Sequence, residues 1–238
     1  MGRSAGDLGR LEAVVFDLDG VLIDSEEVWN EARRELTEQS GGAWKAEATR
    51  AMMGMSSLEW SRYMHDELSV PMAPEEISAA VVARLEEHYR RELPLIPGAR
   101  DAVVGLAERW TLGLASSANP SIIELALSEA DLAGCFRATV SSEEVPRGKP
   151  APDVYLEAAR RLEVEPEACA AVEDSTNGLR SAAAARMAVI AVPNAAFPPG
   201  REALELADVV LDSIRELNAD LVSRLAGRSA PRGAGRSR

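Results

Sequence analysis

Residues 14–26, VVFDLDGVLIDSE, decide how this chain is read. Val14, Val15 and Phe16 form a short β-branched and aromatic run, the pattern of a buried strand, and Gly20 ends it. Asp17 and Asp19 stand two residues apart, so an extended chain turns both carboxylates to one side. Two like charges this close destabilise each other unless a proton or a cation lies between them. A buried strand with such a pair at its mouth has a use for it. A solvated strand end with two acidic turn residues would carry the same letters.

Working outward, the 238 residues suffice for one large domain or for a domain with an insert, and an apolar content of 46% supports a real core. The net charge of −13 argues against nucleic acid as a partner of the folded body. An acidic protein that handles an anionic substrate needs local cations, which raises the question of a metal. Cys135 and Cys169 are far apart and make no metal-ligand spacing, so both read as small buried residues in a reducing compartment. No apolar run reaches membrane-spanning length, and the first ten residues lack the apolar centre of a signal peptide. The expectation is a cytoplasmic protein that does not engage a membrane. Residues 1–10 read as an N-terminal extension and 226–238 as a disordered basic tail.

Along the chain, short apolar strands alternate with helical segments. Strands are expected over 12–18, 111–115, 138–140, 169–172, 187–192 and 208–211, with helices over 98–110, 120–130, 151–162, from 175 to 185 and from Ser213 to Leu225. Strand–helix repetition implies a parallel sheet covered on both faces, an α/β doubly wound, Rossmann-like core. Residues 25–93 break the alternation with helical patterning: Val28, Trp29, Ala32 and Leu36 share one face, and Pro74 with Glu75 and Glu76 opens another helix. The run Leu93-Pro94-Leu95-Ile96-Pro97-Gly98 reads as a hinge. The expected organisation is a core of residues 11–24 and 95–225, with 25–94 as a small all-helical insert after the first strand.

Three later segments place polar residues just beyond a short strand, where ligands bind in a doubly wound sheet, so they should converge with Asp17 and Asp19. Ser116 and Ser117 in LGLASSANP can offer a hydroxyl and backbone N–H groups to phosphate oxygens, or can cap the following helix. Lys149 in VPRGKPAPD lies between Gly148 and Pro150, a stiff setting for a cation that neutralises a phosphoryl group; a surface lysine is the ordinary alternative. Glu173 and Asp174 in AAVEDSTNG end a strand of small residues, or cap the next helix. Four carboxylates at one edge exceed what Lys149 can balance. An oxygen-only donor set then points to Mg²⁺.

The set Asp17-x-Asp19-Gly20-Val21, Ser116, Lys149 and Glu173-Asp174 resembles the four motifs of the haloacid dehalogenase superfamily. The helical insert is similar to the cap of its β-phosphoglucomutase-like and phosphoglycolate-phosphatase-like branch. The resemblance implies that Asp17 is the nucleophile, that Asp19 is the general acid and base, and that Ser116 and the Ser117 backbone bind phosphate. It implies that Lys149 orients Asp17, and that Mg²⁺ is held by Asp17, Asp19 through its carbonyl, Asp174 and, directly or through water, Glu173. The second aspartate implies phosphoryl transfer, since halide needs no proton to leave. Met55, Ser56 and Ser57, after Gly54, resemble the cap loop that reaches the site and selects substrate.

These features make a Mg²⁺-dependent phosphatase of a small phosphorylated metabolite the expected function, in a protein expected to be monomeric. A phosphomutase is the alternative, and a noncatalytic binding protein a further one. The mutase carries a basic residue near the place of Ser57 and a histidine at the place of Trp29, and both are missing here. The Asp24-Ser25-Glu26 run and Trp29 resemble the sugar-phosphatase members of this branch, and a core residue is the alternative reading of Trp29. Lys45, Arg50 and Arg62 are insert cations that sequence does not place.

Overall fold

The computed structural model describes residues 11–52, 55–194 and 197–226. Ala13–Phe16 (β1) is buried at every position, as expected of a strand with neighbours on both sides and helices on both faces. Thr111–Ser116 (β2), Phe136–Ser141 (β3), Cys169–Glu173 (β4), Ala188–Ala191 (β5) and Val209–Val210 (β6) complete one sheet. Its order is β3-β2-β1-β4-β5-β6, every pair parallel. β1 lies between β2 and β4, so Asp17, Ser116 and Glu173 emerge from adjacent strand ends.

Side chains alternate across the pleat and divide the core in two. Val14, Phe16, Leu112, Leu114, Val172 and Ile190 face one side, against Ala99–Ala107 (α5) and Pro120–Glu129 (α6). Val15, Ala115, Val140, Ala171 and Val189 face the other, against Asp153–Leu162 (α7), Thr176–Ala184 (α8) and the short Arg201–Leu204 (α9). Cys169 is buried, but Cys135, expected to be buried, is only half-buried in a turn before β3.

Between β1 and α5 the described residues form four helices: Glu26–Gln39, Ala48–Met52, Ser57–Asp66 and Pro74–Arg91. In chain order these are α1 to α4. α1 and α3 pack on α4 around Trp60, Met64, Ile77, Leu85 and Tyr89. The two chain segments joining this unit to the sheet pair with each other: Asp24 donates to the Pro94 carbonyl at 2.8 Å and Ile96 to Leu22 at 2.9 Å. The pairing gives the expected hinge residues a definite path despite two prolines.

The final helix departs from expectation. The single helix read from Ser213 to Leu225 is a 3-10 turn, Ile214–Glu216, followed by Ala219–Ala226 (α10). The Ser213 hydroxyl accepts from Arg215 and the Asn218 side chain accepts from Leu221, so two local caps interrupt one apolar stripe. Residues 1–10, Gly54 and the tail beyond Ala226 lie outside the described residues. No helix among the described residues is long and apolar enough to cross a membrane.

Candidate active site

β1 and β4 deliver the acids. Asp17 N donates to the Val172 carbonyl at 3.0 Å, which ties the nucleophile candidate to the neighbouring strand. Gly20, at φ +76°, then turns the chain; a Cβ there would fall 2.0 Å from Asp174 Oδ2. The positive φ and this close approach both require glycine. The turn therefore leaves room for the Asp174 carboxylate.

Asp17, Glu173 and Asp174 are buried, and each presents a carboxylate oxygen within 4.8 Å of the others. Lys149 Nζ reaches in from the loop before α7, 2.9 Å from Asp17 Oδ1 and 2.6 Å from Glu173 Oε1. It also donates to the Ala115 carbonyl at 3.0 Å, which holds the ammonium against the end of β2. Burial pushes the Asp17 carboxyl up to about 8; Lys149 opposes this, while Glu173 and Asp19 add to it. Burial, then Glu173 and Asp17, raises Asp174 well above the usual carboxylate range. For Lys149, burial alone would depress the ammonium, but Asp17 and Glu173 outweigh it and hold the group above its ordinary range.

The three acids are not equivalent. Glu173 Oε1 accepts from Lys149 and, at 2.8 Å, from the Tyr155 hydroxyl. Its Oε2 accepts from Asp174 N, Ser175 N and the Ser175 hydroxyl at 3.1 to 3.3 Å. Both oxygens are engaged by protein donors. Asp17 Oδ1, in contrast, is buried with only the 2.9 Å ion-pair contact to Lys149. An orphaned carboxylate oxygen beside a second raised carboxyl is a set of hard oxygen donors, and it fits a divalent cation at Asp17 and Asp174.

Asp19 faces away from this cluster. Its Oδ1 accepts from the Ser25 hydroxyl and, at 3.1 Å, from Trp29 Nε1. Its Oδ2 lies 3.4 Å from the Ser116 hydroxyl, which also accepts from Ala118 N at 3.0 Å. Trp29 is thus both core and site: its ring packs edge-on against Trp60 while its N–H orients Asp19. The DSE run and Trp29 were the sequence signal, and the contact itself was not readable from it. Tyr155 was missed because its place on the apolar stripe of α7 hides a hydroxyl that needs a buried acceptor.

A cavity of about 800 Å³ lies between the sheet edge and the helical unit, with Asp17, Asp19, Lys149 and Asp174 in its floor and Ser117 and Ala118 beside them. Ser116 is fully buried behind it. Of the insert-loop residues, Met55 lines the cavity. Ser56 instead caps α3, its N–H and hydroxyl both donating to Glu59 Oε2. Ser57 donates to the Asn119 side chain at 3.1 Å, a link from the helical unit to the core. Arg50 lines the cavity, whereas Lys45 pairs with Glu67 at 3.2 Å. Arg33, which sequence reading passed over, also lines it.

Residues 11–186 match the profile of the haloacid dehalogenase-like hydrolase family. The chain is 36% identical to hexitol phosphatase B of Escherichia coli strain K12 over 214 residues, covering 87% of this chain and 94% of the relative. It is 34% identical to a probable pseudouridine-5'-phosphatase of Drosophila melanogaster, covering 79% and 84% of the two chains. The crystal structure of CbbY from Rhodobacter sphaeroides in complex with phosphate superposes with a TM-score of 0.81 at 28% identity, over 90% of this chain and 99% of that one.

Proposed function

Because this chain belongs to the haloacid dehalogenase-like hydrolases, in the branch resembling β-phosphoglucomutase, we propose that it hydrolyses small phosphorylated metabolites of the sugar-phosphate class through a phosphoryl group carried on Asp17. It is a phosphoric monoester hydrolase. The observation that carries the mechanistic reading is Asp17 itself, buried to 6% exposure beside Lys149 with one oxygen lacking a hydrogen bond.

The Asp17 carboxylate attacks phosphorus and the ester oxygen departs with a proton from Asp19, leaving an aspartyl phosphate and a free alcohol. Asp19 then takes a proton from water, which attacks phosphorus and returns Asp17 and inorganic phosphate. The hydrogen bonds from Ser25 and Trp29 hold Asp19 for both transfers. Lys149 balances charge on the phosphoryl oxygens and the Ser117 backbone takes them up, while the Ser116 hydroxyl, expected to share that role, is buried behind the cavity between Asp19 and Ala118. Mg²⁺ would be held by the Asp17 and Asp174 side chains with the Asp19 carbonyl, and would supply charge neutralisation between nucleophile and phosphate. Glu173 serves Lys149 in this reading, since its own oxygens are engaged. Residues 25–94 act as a cap over a core of residues 11–24 and 95–225, closing the cavity and choosing the alcohol. The paired segments at Asp24–Pro94 and Leu22–Ile96 are the hinge.

The test is phosphate release from a panel of phosphomonoesters, with Mg²⁺ and with chelator, for the wild type and Asp17→Asn. Metal-dependent release that disappears in Asp17→Asn, with an acid-stable, hydroxylamine-sensitive phosphoenzyme in the wild type, supports the reading. Unchanged release by Asp17→Asn overturns the nucleophile. Transfer of phosphate between positions of one sugar without net release would establish a mutase instead.

A further inference from the structure

Arg33 is the polar group whose setting the chemistry above does not use. It lies on α1, seven residues beyond Glu26, and lines the same cavity as Asp17 and Lys149. Its exposure is 8%. The guanidinium carbon stands 4.8 Å from the Trp29 ring centroid and 5.0 Å from that of Trp60, so two indole faces hold it. Yet its Nε is buried without a hydrogen-bond partner. Among the described residues no carboxylate lies within ion-pairing distance of it. Buried arginines are ordinarily paired, and the indole faces satisfy charge but none of the five N–H donors.

The surroundings agree. Arg50 lines the same cavity. The acids that act on Arg33 from a distance are Glu26 and then Asp19, and the Glu26 carboxyl is itself raised by burial and by Asp19. The helical wall thus presents two arginines against one weakened acid, whereas the floor presents three aspartates against Lys149. Asp17, Asp174 and Lys149 suit a phosphoryl group with its cation. Arg33 adds to the same cavity a fork of donors without a hydrogen-bonded acceptor, the kind of group that takes a carboxylate or a phosphate in two parallel hydrogen bonds.

We propose that Arg33 receives an anionic group at the far end of the substrate, so that the preferred substrates are phosphomonoesters whose alcohol also carries a carboxylate or a second phosphate, such as phosphorylated sugar acids. This rests on the phosphatase reading above. Its seat against the Trp29 and Trp60 rings, which pack edge-on against each other, holds the arginine in place. A neutral polyol end would leave the guanidinium without a counter-charge, and that penalty is what discriminates.

The experiment compares three esters of one six-carbon skeleton in the presence of Mg²⁺: a hexitol 6-phosphate, the hexonate 6-phosphate and the hexitol 1,6-bisphosphate. p-Nitrophenyl phosphate serves as an ester without a chain. The wild type is expected to show a KM at least about tenfold lower for one or both doubly anionic esters than for the hexitol ester. Preference for the hexonate alone identifies a carboxylate receptor, and preference for the bisphosphate alone a phosphate receptor. In Arg33→Gln the ratio of kcat/KM between anionic and neutral esters should collapse, mostly through KM, and Arg33→Lys should restore part of it. Equal or better use of the hexitol ester by the wild type overturns the proposal, as does a preference that survives in folded Arg33→Gln. If the variants do not fold, competitive inhibition of the wild type decides the matter: free hexonate should inhibit and free hexitol should not, and equal inhibition overturns it. Failure to hydrolyse any ester, p-nitrophenyl phosphate included, would sink the phosphatase reading separately. Calorimetric binding of hexonate and hexitol phosphates would then still test Arg33.

Discussion

Glu173 Oε1 sits 2.6 Å from Lys149 Nζ, and both side chains are withdrawn from solvent. A buried cation with two acids beside it is stable only while both remain, because desolvation makes an unpaired charge costly. Glu173→Gln keeps the shape and loses the charge. It should lower kcat about 10- to 100-fold and cost about 1–3 kcal/mol of stability, the usual penalty for disrupting a buried charged hydrogen bond. Steady-state kinetics and urea unfolding check this, and a variant with wild-type kcat would show that Lys149 does not depend on Glu173.

Gly178 guards the same carboxylate from the other side. A Cβ at this position would lie 1.8 Å from Glu173 Cδ, although glycine in the first turn of α8 is otherwise a poor helix residue. Gly178→Ala should therefore destabilise by about 1–3 kcal/mol through overpacking, where an unconstrained helix site would gain. It should also reduce kcat by displacing the partner of Lys149. A thermal melt equal to or above the wild type would contradict the close approach.

The raised Asp17 carboxyl sets a pH dependence whose sign is definite. The ordinary value is 3.8 and the folded value about 8, the cause being burial first. Between these limits the metal-free folded state keeps a proton that the unfolded chain has released, so this group's contribution to stability falls as pH rises. Asp17→Asn has no such proton. In chelator, its stability relative to the wild type should increase from about pH 5 to about pH 8. A divalent cation that favours ionised Asp17 should shrink that trend. Denaturant titrations across this range, with and without Mg²⁺, measure both, and a pH-independent difference in chelator would rule the linkage out.

Trp29 Nε1 donates to Asp19 at 3.1 Å while its ring packs on Trp60. Trp29→Phe retains much of the packing and deletes the donor. Loss of the hydrogen bond that orients the general acid and base should reduce kcat about tenfold or more with little change in stability. A kcat loss matched by an equal loss of stability in urea unfolding would assign Trp29 to packing alone.

Much of this protein was legible in the chain. The strand alternation and its six segments were readable because buried parallel strands are continuous apolar runs with local punctuation. Asp17, Lys149 and Asp174 were readable as a group because topology alone brings neighbouring strand ends to one edge. The break before α10 was not readable, since caps at Ser213 and Asn218 compete locally with an apolar stripe that continues through them. Nor could sequence separate Ser57, bonded to Asn119, from Met55 at the cavity.

What the sequence by itself determined is the sheet, the acids at its carboxyl edge and the family they mark, all set by periodicity and by short-range order. What only tertiary structure decided is how each polar atom is engaged. Glu173 is saturated by Lys149, Tyr155 and the chain around Ser175, Asp19 is turned toward Trp29, and Arg33 lies against two indole rings with its Nε unpartnered. Hydrogen bonds and ion pairs depend on fractions of an ångström between side chains distant along the chain, such as Lys149 and Glu173, and no pattern of residue types carries that information.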